Sequence, residues 1–224
     1  EEGLNPAAMP RARLAITTPS RHYPTGVTMP LARRLDLLAW SDRHQALILE
    51  DDFDSEYRYR GTPLPTLMGL ASNDRVLYMG SFSKVFTPQL RLGYLVVPDP
   101  LVASFEQVLN RRGPLASAVA QPALAQFMAS GRFATHIRRM RRVYGVRQQA
   151  LVESVGRHLD GLLTVQPEAG GMHLTARLSA GLAQRMNDVR ISHKAHDAGL
   201  MLPALSRYCA GPVKHQGLLM GYSG

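Results

Sequence analysis

Three short apolar runs, each followed at once by turn-forming or polar residues, constrain the fold of this chain more than any other feature. The runs are Leu14 to Thr17, Ala46 to Leu49 and Val76 to Met79. Such runs are typical of strands buried in a parallel sheet, where the carboxyl ends of the strands carry the polar side chains that bind ligands. Leu92 to Val97 reads as one more strand. The first half of the chain is therefore predicted to form an α/β sheet.

A helix is predicted between the first two strands, over Met29 to Trp40. Thr28 can cap it, and Leu31, Leu35 and Leu38 fall on one face at helical spacing. A strand, a loop, a helix and a second strand in this order are typical of a crossover between parallel strands. We expect this helix to cover one face of the sheet.

The second half of the chain changes to helical periodicity. One long helix is predicted from Gln121 through His158, disturbed at Gly145. Beyond it, short apolar runs alternate with a helical stretch over 183–198, which indicates a small α+β lobe. We therefore expect a partial large domain over residues 1–118 and an interdomain helix with a small C-terminal domain over 119–224.

Composition narrows the setting of the protein. Cys209 is the single cysteine, which excludes an internal disulfide and favours a reducing, cytoplasmic environment. The apolar runs are shorter than the roughly 18 to 20 residues that span a bilayer, and the first ten residues do not resemble a signal peptide. The formal net charge of +9 favours an anionic ligand.

The motif Ser81-Phe82-Ser83-Lys84 follows the third strand directly. A lysine at the end of an apolar strand is expected to be partly desolvated, which makes its amine a usable nucleophile for a Schiff base. The two serine hydroxyls suit a phosphate, and Arg91 can add a charged fork to it. An ordinary surface turn with a solvated lysine is the alternative that the motif alone leaves open.

The segment from Glu50 to Glu56 places five carboxylates within seven residues. Like charges this close repel, so at least one is expected to face a compensating cation or a protonated nitrogen. A solvated acidic loop, a divalent-cation site and a carboxylate that keeps a heterocyclic nitrogen protonated remain open as interpretations. Asp51 is the best placed of the five to point inward.

The loop from Thr18 to Gly26 follows the first strand. Pro24 restricts the backbone beside Tyr23, so the phenol is expected to be held in place, although the segment by itself favours a purely structural turn. The three polar segments fall at the ends of three predicted strands. Taken together, a Schiff-base lysine, an aspartate and phosphate-binding hydroxyls match the protein's part in pyridoxal phosphate chemistry.

The sequence resembles a known family over most of its length. It is similar to fold type I, pyridoxal 5′-phosphate-dependent aminotransferases, and in detail to the aminotransferase-like domain of the MocR/GabR subfamily of GntR-type transcriptional regulators. The matching segments are TPSRHYPTGVTMPLARRLDLLAW, LILEDDFDSEYRYRG, VLYMGSFSKVFTPQLRLGYLVVP, ALSRY and GLLMGYSG.

The resemblance implies a role for each candidate residue. Lys84 would bond the cofactor, Asp51 would pair with its pyridine nitrogen, and Arg207 would bind the carboxylate of a substrate or effector. The remaining implied cofactor contacts are Tyr23, Ser81, Ser83 and Arg91; no metal ion is implied.

Two residues depart from the family pattern. Phe53 stands where a tyrosine often reaches the cofactor, so we expect the Tyr23 hydroxyl to supply that contact. Gln89 replaces a usual glycine, which is expected to shift the loop that carries Arg91.

The resemblance implies an effector domain that senses an amino compound or pyridoxal phosphate through Lys84. Members of the subfamily carry an N-terminal winged helix-turn-helix that binds DNA, so this chain is expected to be a fragment without it, and to form a homodimer. The alternative function is a catalytic class I/II aminotransferase acting on an amino acid. A nonfunctional remnant, which would form no stable cofactor complex, is a third interpretation.

Overall fold

The computed structural model of the protein describes residues 3–113 and 116–223. The chain divides into two compact units. The first comprises the described residues of Glu1–His22, Val27–Glu56 and Thr62–Arg138. The second comprises the described residues of Tyr23–Gly26, Tyr57–Gly61 and Arg139–Gly224. The domain boundary expected after residue 118 stays a prediction. The two compact units divide between Arg138 and Arg139, and two short segments of the first half belong to the second unit.

A four-stranded sheet forms the centre of the first unit. Its order is β1-β2-β3-β4, with the first three strands parallel and β4 antiparallel to β3. The strands are β1 (Leu14–Thr17), β2 (Leu47–Asp52), β3 (Val76–Ser81) and β4 (Gly93–Val96). The α/β class and the mostly parallel sheet expected from the sequence are confirmed. Strand β2 runs further than its apolar run, into the acidic segment.

Helix α1 (Leu31–His44) crosses between β1 and β2, as expected, but its buried face differs from the prediction. Leu31 and Leu35 are exposed, and the position between them in the buried stripe is Arg34. Thr28 does not cap the helix, because its hydroxyl donates to the carbonyl of Ser20 instead. The buried residues of the helix are Arg34, Leu37, Leu38, Trp40 and Ser41.

The buried guanidinium of Arg34 explains this difference. Its Nε donates to the carbonyl of Met29 at 3.0 Å, and its two terminal nitrogens donate to Pro65 and Pro19 at 2.9 Å each. A buried charged group is tolerated when its donors are satisfied in this way. Hydrophobic periodicity alone cannot anticipate such a residue in the core-facing stripe.

The remaining helices of the first unit are α2 (Leu67–Leu70), α3 (Phe82–Val85), α4 (Asp99–Arg112) and α5 (Ala120–Ala129), and α6 (Arg132–His158) has residues in both units. The prediction of one helix from Gln121 to His158 is wrong. The helical run is interrupted at Gly131, whose φ is +73°, a value that glycine adopts without a steric penalty. Gly145, expected to disturb the helix, lies inside α6, and a β-carbon added there would be in ordinary contact with the Tyr59 ring.

The second unit is a small α+β lobe, as expected. Its sheet has the order β5-β6-β7 and is antiparallel throughout. One cluster of its core consists of Val155, Ala176 and Met220. The elements are β5 (Leu163–Thr164), β6 (His173–Leu178), α7 (Ala180–Arg185), α8 (Asp188–Asp197) and β7 (Gly217–Gly221).

Candidate functional site

A cavity of about 1220 Å³ lies within the first unit. Five of the candidate residues line it: Asp51, Ser81, Ser83, Lys84 and Arg91. They come from three places along the chain, namely β2, the junction of β3 with α3, and the turn before β4. The cavity therefore collects an amine, two hydroxyls, a guanidinium and a carboxylate in one space.

Lys84 lies on the single turn of α3, which begins where β3 ends. The Ser81 hydroxyl caps this turn by accepting a hydrogen bond from the backbone N–H of Ser83 at 3.2 Å. Because that bond uses the oxygen as acceptor, the Ser81 hydroxyl keeps its proton for a ligand. Lys84 itself is exposed, so the partial desolvation expected for it is wrong for this structure. The reason is that the buried residue of α3 is Val85, so the apolar strand before the turn does not determine the burial of Lys84.

Arg91 follows a 3-10 turn over Pro88–Leu90 and has a left-handed backbone with φ of +50°. Its side chain is exposed and lines the cavity. Gln89, where the family usually has glycine, is exposed, and its backbone N–H donates to the Thr87 hydroxyl at 3.4 Å. The β-carbon of Gln89 is thus accommodated on the outside of the turn, while Arg91 still reaches the cavity.

Asp51 is half-buried on β2 and lines the same cavity, together with Phe53. Burial is the main cause that raises the pKa of its carboxyl, and the negative charge of Asp52 raises it further. A carboxylate in this position gains from a cationic partner, since such a partner offsets both effects. The cavity wall therefore offers a site for a protonated nitrogen.

Three other carboxylates of the acidic segment, Glu50, Asp52 and Asp54, are buried and do not belong to a solvated loop. Glu50 is fully buried and accepts hydrogen bonds from the backbone N–H groups of Leu67 and Met68, each at 3.0 Å. Burial nevertheless raises the pKa of Glu50. The guanidinium of Arg34 lies 4.0 Å from the carboxylate and acts in the opposite direction. Glu50 thus ties β2 to α2 and has a structural role.

Asp52 and Asp54 are also buried and have separate partners. Asp52 accepts hydrogen bonds from the Tyr78 hydroxyl at 2.7 Å and the Ser55 hydroxyl at 2.6 Å. Asp54 forms an ion pair with Arg21 at 3.3 Å, which is the compensating cation expected for this segment. Burial outweighs the charge of Arg21 and raises the pKa of Asp54 to about 6.

Metal binding, one of the three interpretations of this segment, gains no support from the geometry. Within residues 3–113 and 116–223, no three His, Cys, Asp or Glu side chains are grouped as metal ligands.

Tyr23 belongs to the second unit and is held by neighbours there. Its hydroxyl lies 2.9 Å from that of Tyr208, and the two rings meet edge to face at 5.3 Å. His173 packs edge to face against the Tyr23 ring on another side, and its Nε2 lies 3.1 Å from the carbonyl of Pro24. Burial, followed by the bond to Tyr208, raises the pKa of Tyr23 to about 12. The phenol is therefore protonated at neutral pH and can donate a hydrogen bond.

Arg207 also belongs to the second unit, on a 3-10 turn over Leu205–Tyr208. It is exposed, and one terminal nitrogen lies 2.6 Å from Nε2 of His193. Beneath this turn, the buried carboxylate of Asp188 accepts hydrogen bonds from the backbone N–H and the hydroxyl of Ser206. The guanidinium is thus presented to solvent on a turn that is firmly anchored.

Sequence reasoning missed several residues that shape these two regions. Arg34 and Tyr208 have no motif of their own, and their importance comes from partners distant in sequence. The buried pair of Arg21 with Asp54 could have been anticipated only as an excess of carboxylates that needed a cation.

Among the described residues, no helix is long and apolar enough to cross a membrane.

Comparison with known proteins gives a consistent result. The family described as "Aminotransferase class I and II" matches residues 4–200. The "Probable rhizopine catabolism regulatory protein MocR" of Rhizobium meliloti is 42% identical over 99% of this chain and 44% of its own length. The "HTH-type pyridoxine biosynthesis transcriptional regulator PdxR" of Corynebacterium glutamicum is 37% identical over 99% of this chain and 47% of its own length. The chain thus spans a little under half of these relatives.

Among solved structures, kynurenine aminotransferase of Pyrococcus horikoshii superposes with a TM-score of 0.83 at 23% identity. The superposition covers 95% of this chain and 52% of the enzyme. At this level of identity the likeness concerns the fold.

Proposed function

The chain belongs to the aminotransferase class I and II family and has the fold type I architecture of its enzymes, and on this basis we propose that it binds pyridoxal 5′-phosphate as the effector-binding part of a MocR-type transcriptional regulator. In this proposal an amino compound, or the cofactor itself, is sensed at Lys84. DNA is contacted only by a separate region of the longer protein. A cytoplasmic location and a homodimer belong to the same proposal.

The cavity of the first unit supports the cofactor part of the proposal. A phosphate dianion matches the hydroxyls of Ser81 and Ser83 and the guanidinium of Arg91, because hydroxyl and guanidinium donors are the usual phosphate ligands. A pyridine nitrogen matches the Asp51 carboxylate. At about 1220 Å³ the cavity has ample room for a cofactor of this size together with a small ligand. The residues present therefore fit the group.

Bound pyridoxal phosphate would supply an aldehyde that reacts with amines and a ring that withdraws electrons from the attached amino compound. Lys84 would provide the attacking amine from its exposed position at the cavity edge. Ser81 and Ser83 would hold the phosphate beside the same turn, so that one short segment fixes both the anion and the nucleophile. Arg91 would close the phosphate site from the turn before β4.

Asp51 would hold a proton on the ring nitrogen opposite it. Burial and the Asp52 charge raise the pKa of Asp51, so its carboxylate is a strong acceptor for a hydrogen bond from a protonated nitrogen. A cationic ring nitrogen brought to this position stabilises the ionised carboxylate by the attraction of opposite charges. This pairing keeps the ring in its electron-withdrawing form without any further residue.

Tyr23 and Arg207 are also proposed as ligand contacts. Phe53 has no hydroxyl, and Tyr23 has one that is protonated at neutral pH, so Tyr23 is the better donor to the cofactor's ring oxygen. The exposed guanidinium of Arg207 suits the carboxylate of an amino-acid ligand, which it can bind through two parallel hydrogen bonds.

The observation that favours a regulator over a catalyst is the 42% identity with a regulatory protein over 99% of this chain. The alternative, a catalytic aminotransferase, is supported by the structural likeness at 23% identity. Both functions use the same cavity. They differ in whether an amino acid is turned over repeatedly or only changes the binding of DNA by the longer protein.

The three lysines of the chain allow a direct test of the site. Incubation with pyridoxal phosphate followed by borohydride reduction is expected to fix the cofactor on Lys84, as shown by peptide mass mapping. Lys84→Ala should abolish the adduct, while Lys194→Ala and Lys214→Ala should leave it unchanged. An adduct distributed over Lys194 and Lys214 in the Lys84→Ala variant, at the yield of the unmodified chain, would contradict the proposal.

A second assay separates the two functions. The chain is incubated with pyridoxal phosphate, an amino acid and a 2-oxo acid, and amino-group transfer is followed over many turnovers. A regulator is expected to complete at most about one turnover per site. Sustained turnover would establish the enzyme alternative.

A further inference from the structure

We propose that His136 is a positioning residue for Lys84, holding the short turn that carries the lysine against helix α6. The proposal deepens the function proposed above and rests on it, since it concerns how the nucleophile is placed. His136 does not line the cavity; it acts through the backbone of the residue next to Lys84.

The central contact joins His136 to Val85. Nε2 of His136 lies 3.2 Å from the carbonyl oxygen of Val85, across a sequence separation of 51 residues. A carbonyl can only accept a hydrogen bond, so the imidazole donates through Nε2. Val85 directly follows Lys84 and is the last residue of α3. The bond therefore attaches the end of the lysine turn to α6.

Helix α3 needs such support because it is only one turn long, from Phe82 to Val85. Forming a single helical turn fixes several dihedral angles for very few internal bonds, so isolated turns are unstable. Here the backbone N–H of Phe86 returns to the carbonyl of Phe82 at 2.9 Å. Contacts from other elements must supply the remaining stability.

Aromatic side chains provide a second set of contacts on both sides of Lys84. Phe82 meets the Phe133 ring of α6 at 6.2 Å between centroids, edge to face. Phe86 meets Phe127 of α5 at 5.1 Å and the His136 ring itself at 5.5 Å. His136 thus contacts the turn twice, through its ring nitrogen and through its ring edge.

The burial pattern shows which side of the turn is held. Val85 is 1% exposed, whereas Lys84 is exposed at the cavity. The turn is anchored on the Val85 side, and the amine is left accessible on the other. Fixing the backbone in this way removes part of the conformational entropy that Lys84 would otherwise lose when it bonds a ligand.

Two substitutions separate the hydrogen bond from simple packing. Gln at position 136 can place its amide nitrogen near the position of Nε2 and keep the donor. Leu fills a similar volume without a donor. His158 lies at the exposed end of the same helix, so His158→Leu is the matched control.

The first measurement is hydrogen exchange of the Phe86 amide in the chain without cofactor, together with the melting temperature. His136→Leu is expected to speed this exchange about five- to tenfold, the effect of losing one hydrogen bond. His136→Gln should restore protection, and His158→Leu should change nothing. The second measurement is the affinity for pyridoxal phosphate, which is expected to weaken about five- to tenfold in His136→Leu and recover in His136→Gln.

Two results would overturn the proposal: unchanged Phe86 exchange in His136→Leu, or equal loss of cofactor affinity in the Leu and Gln variants. A lower melting temperature with normal Phe86 protection relative to global unfolding would likewise assign His136 to general packing. If the unmodified chain binds no cofactor at Lys84, the proposed function fails, and the exchange result alone decides whether His136 holds the turn.

Discussion

The side chains of Asp51 and Asp52 lie on opposite faces of strand β2, although the two residues are adjacent in sequence. Asp51 is half-buried and lines the cavity, whereas Asp52 is buried and accepts the hydrogen bond of Tyr78. Alternation along a strand sends neighbouring residues to opposite sides. Two adjacent carboxylates therefore have different surroundings: Asp51 lies in the proposed site and Asp52 in the interior.

We expect Asp51→Asn and Asp52→Asn to separate binding from stability. Asp51→Asn should weaken pyridoxal phosphate binding at least about tenfold, because the charge-assisted bond to the ring nitrogen is lost, with little change in the free energy of unfolding. Asp52→Asn should lower the free energy of unfolding by about 1 to 3 kcal/mol, because Tyr78 and Ser55 lose a charged acceptor. Cofactor titration and urea denaturation of both variants measure the two effects. The reverse assignment of effects would contradict the proposed site.

The Asp54 carboxyl should make stability depend on pH. Its pKa in the folded chain is about 6, above the ordinary 3.8, because burial outweighs the charge of Arg21. A raised folded-state pKa means that the stabilising contribution is complete below 3.8 and is lost as the pH rises through 6. We expect the free energy of unfolding to fall by about 3 kcal/mol across this window relative to Asp54→Asn.

Denaturant unfolding of both chains from about one pH unit below 3.8 to about one and a half units above 6 measures this difference. Asp54→Asn removes the titrating carboxyl and, with it, the ion pair with Arg21, which in the unmodified chain forms only as Asp54 ionises. The curve of the variant therefore lacks this pH-dependent contribution, and the difference between the two curves reports it. Parallel curves would mean that Asp54 does not titrate in this range.

Gly80 is expected to be intolerant of a side chain. A β-carbon there would overlap the ring of Tyr94, the residue paired with it across β3 and β4. Gly80→Ala should destabilise the chain by about 1 to 3 kcal/mol, since the Tyr94 ring must leave its position. In the double variant with Tyr94→Ala the cost of Gly80→Ala should largely disappear, because the overlapping atoms are gone. A double-mutant cycle by thermal unfolding tests this, and additive effects would argue against the overlap.

Tyr208 should set part of the acidity of Tyr23. The pKa of Tyr23 is raised to about 12 by burial first and by the hydrogen bond to Tyr208 second. In Tyr208→Phe we expect it to move part of the way toward the ordinary 10.0, since burial persists. Ring-carbon NMR of labelled tyrosine across alkaline pH reports the change, with Tyr23→Phe to assign the signal. A pKa unaffected by Tyr208→Phe would show that the hydroxyl pair is not formed in solution.

The sequence predicted the fold best where apolar side chains alone determine a strand. The run Leu14 to Thr17 forms β1 with those bounds, because a short apolar segment before a proline-rich loop has few alternatives. The end of β2 was missed, since Glu50 and Asp52 enter the strand only through partners supplied by distant residues. The prediction that Leu31 and Leu35 are buried on α1 failed for the same reason. Arg34 is buried there instead, because three carbonyl partners from dispersed parts of the chain accept its hydrogen bonds.

For the candidate site, strand-end reasoning and the family resemblance together predicted five residues that line one cavity, and their roles stay predictions. The exposure of Lys84 was not foreseen, because the residue that α3 buries is its neighbour Val85, which the apolar strand before the turn does not indicate. Gly131 and Gly145 show a similar limit. Both are glycines in a helical pattern, but Gly131 has a positive φ and Gly145 is helical, and the pattern does not tell them apart.

The antiparallel pairing of β3 with β4 has a consequence for the order in which the chain folds. Ser81 pairs with Gly93, so this pairing closes a short loop, whereas Leu14 with Leu47 and Ile48 with Val76 must close much longer ones through crossovers. Local pairings lose less chain entropy and form faster than distant ones. The loop closed by the fastest pairing is the one that contains Lys84. During synthesis, both strands that flank the lysine turn are complete before α6 emerges, so their pairing can precede the contact of the turn with that helix.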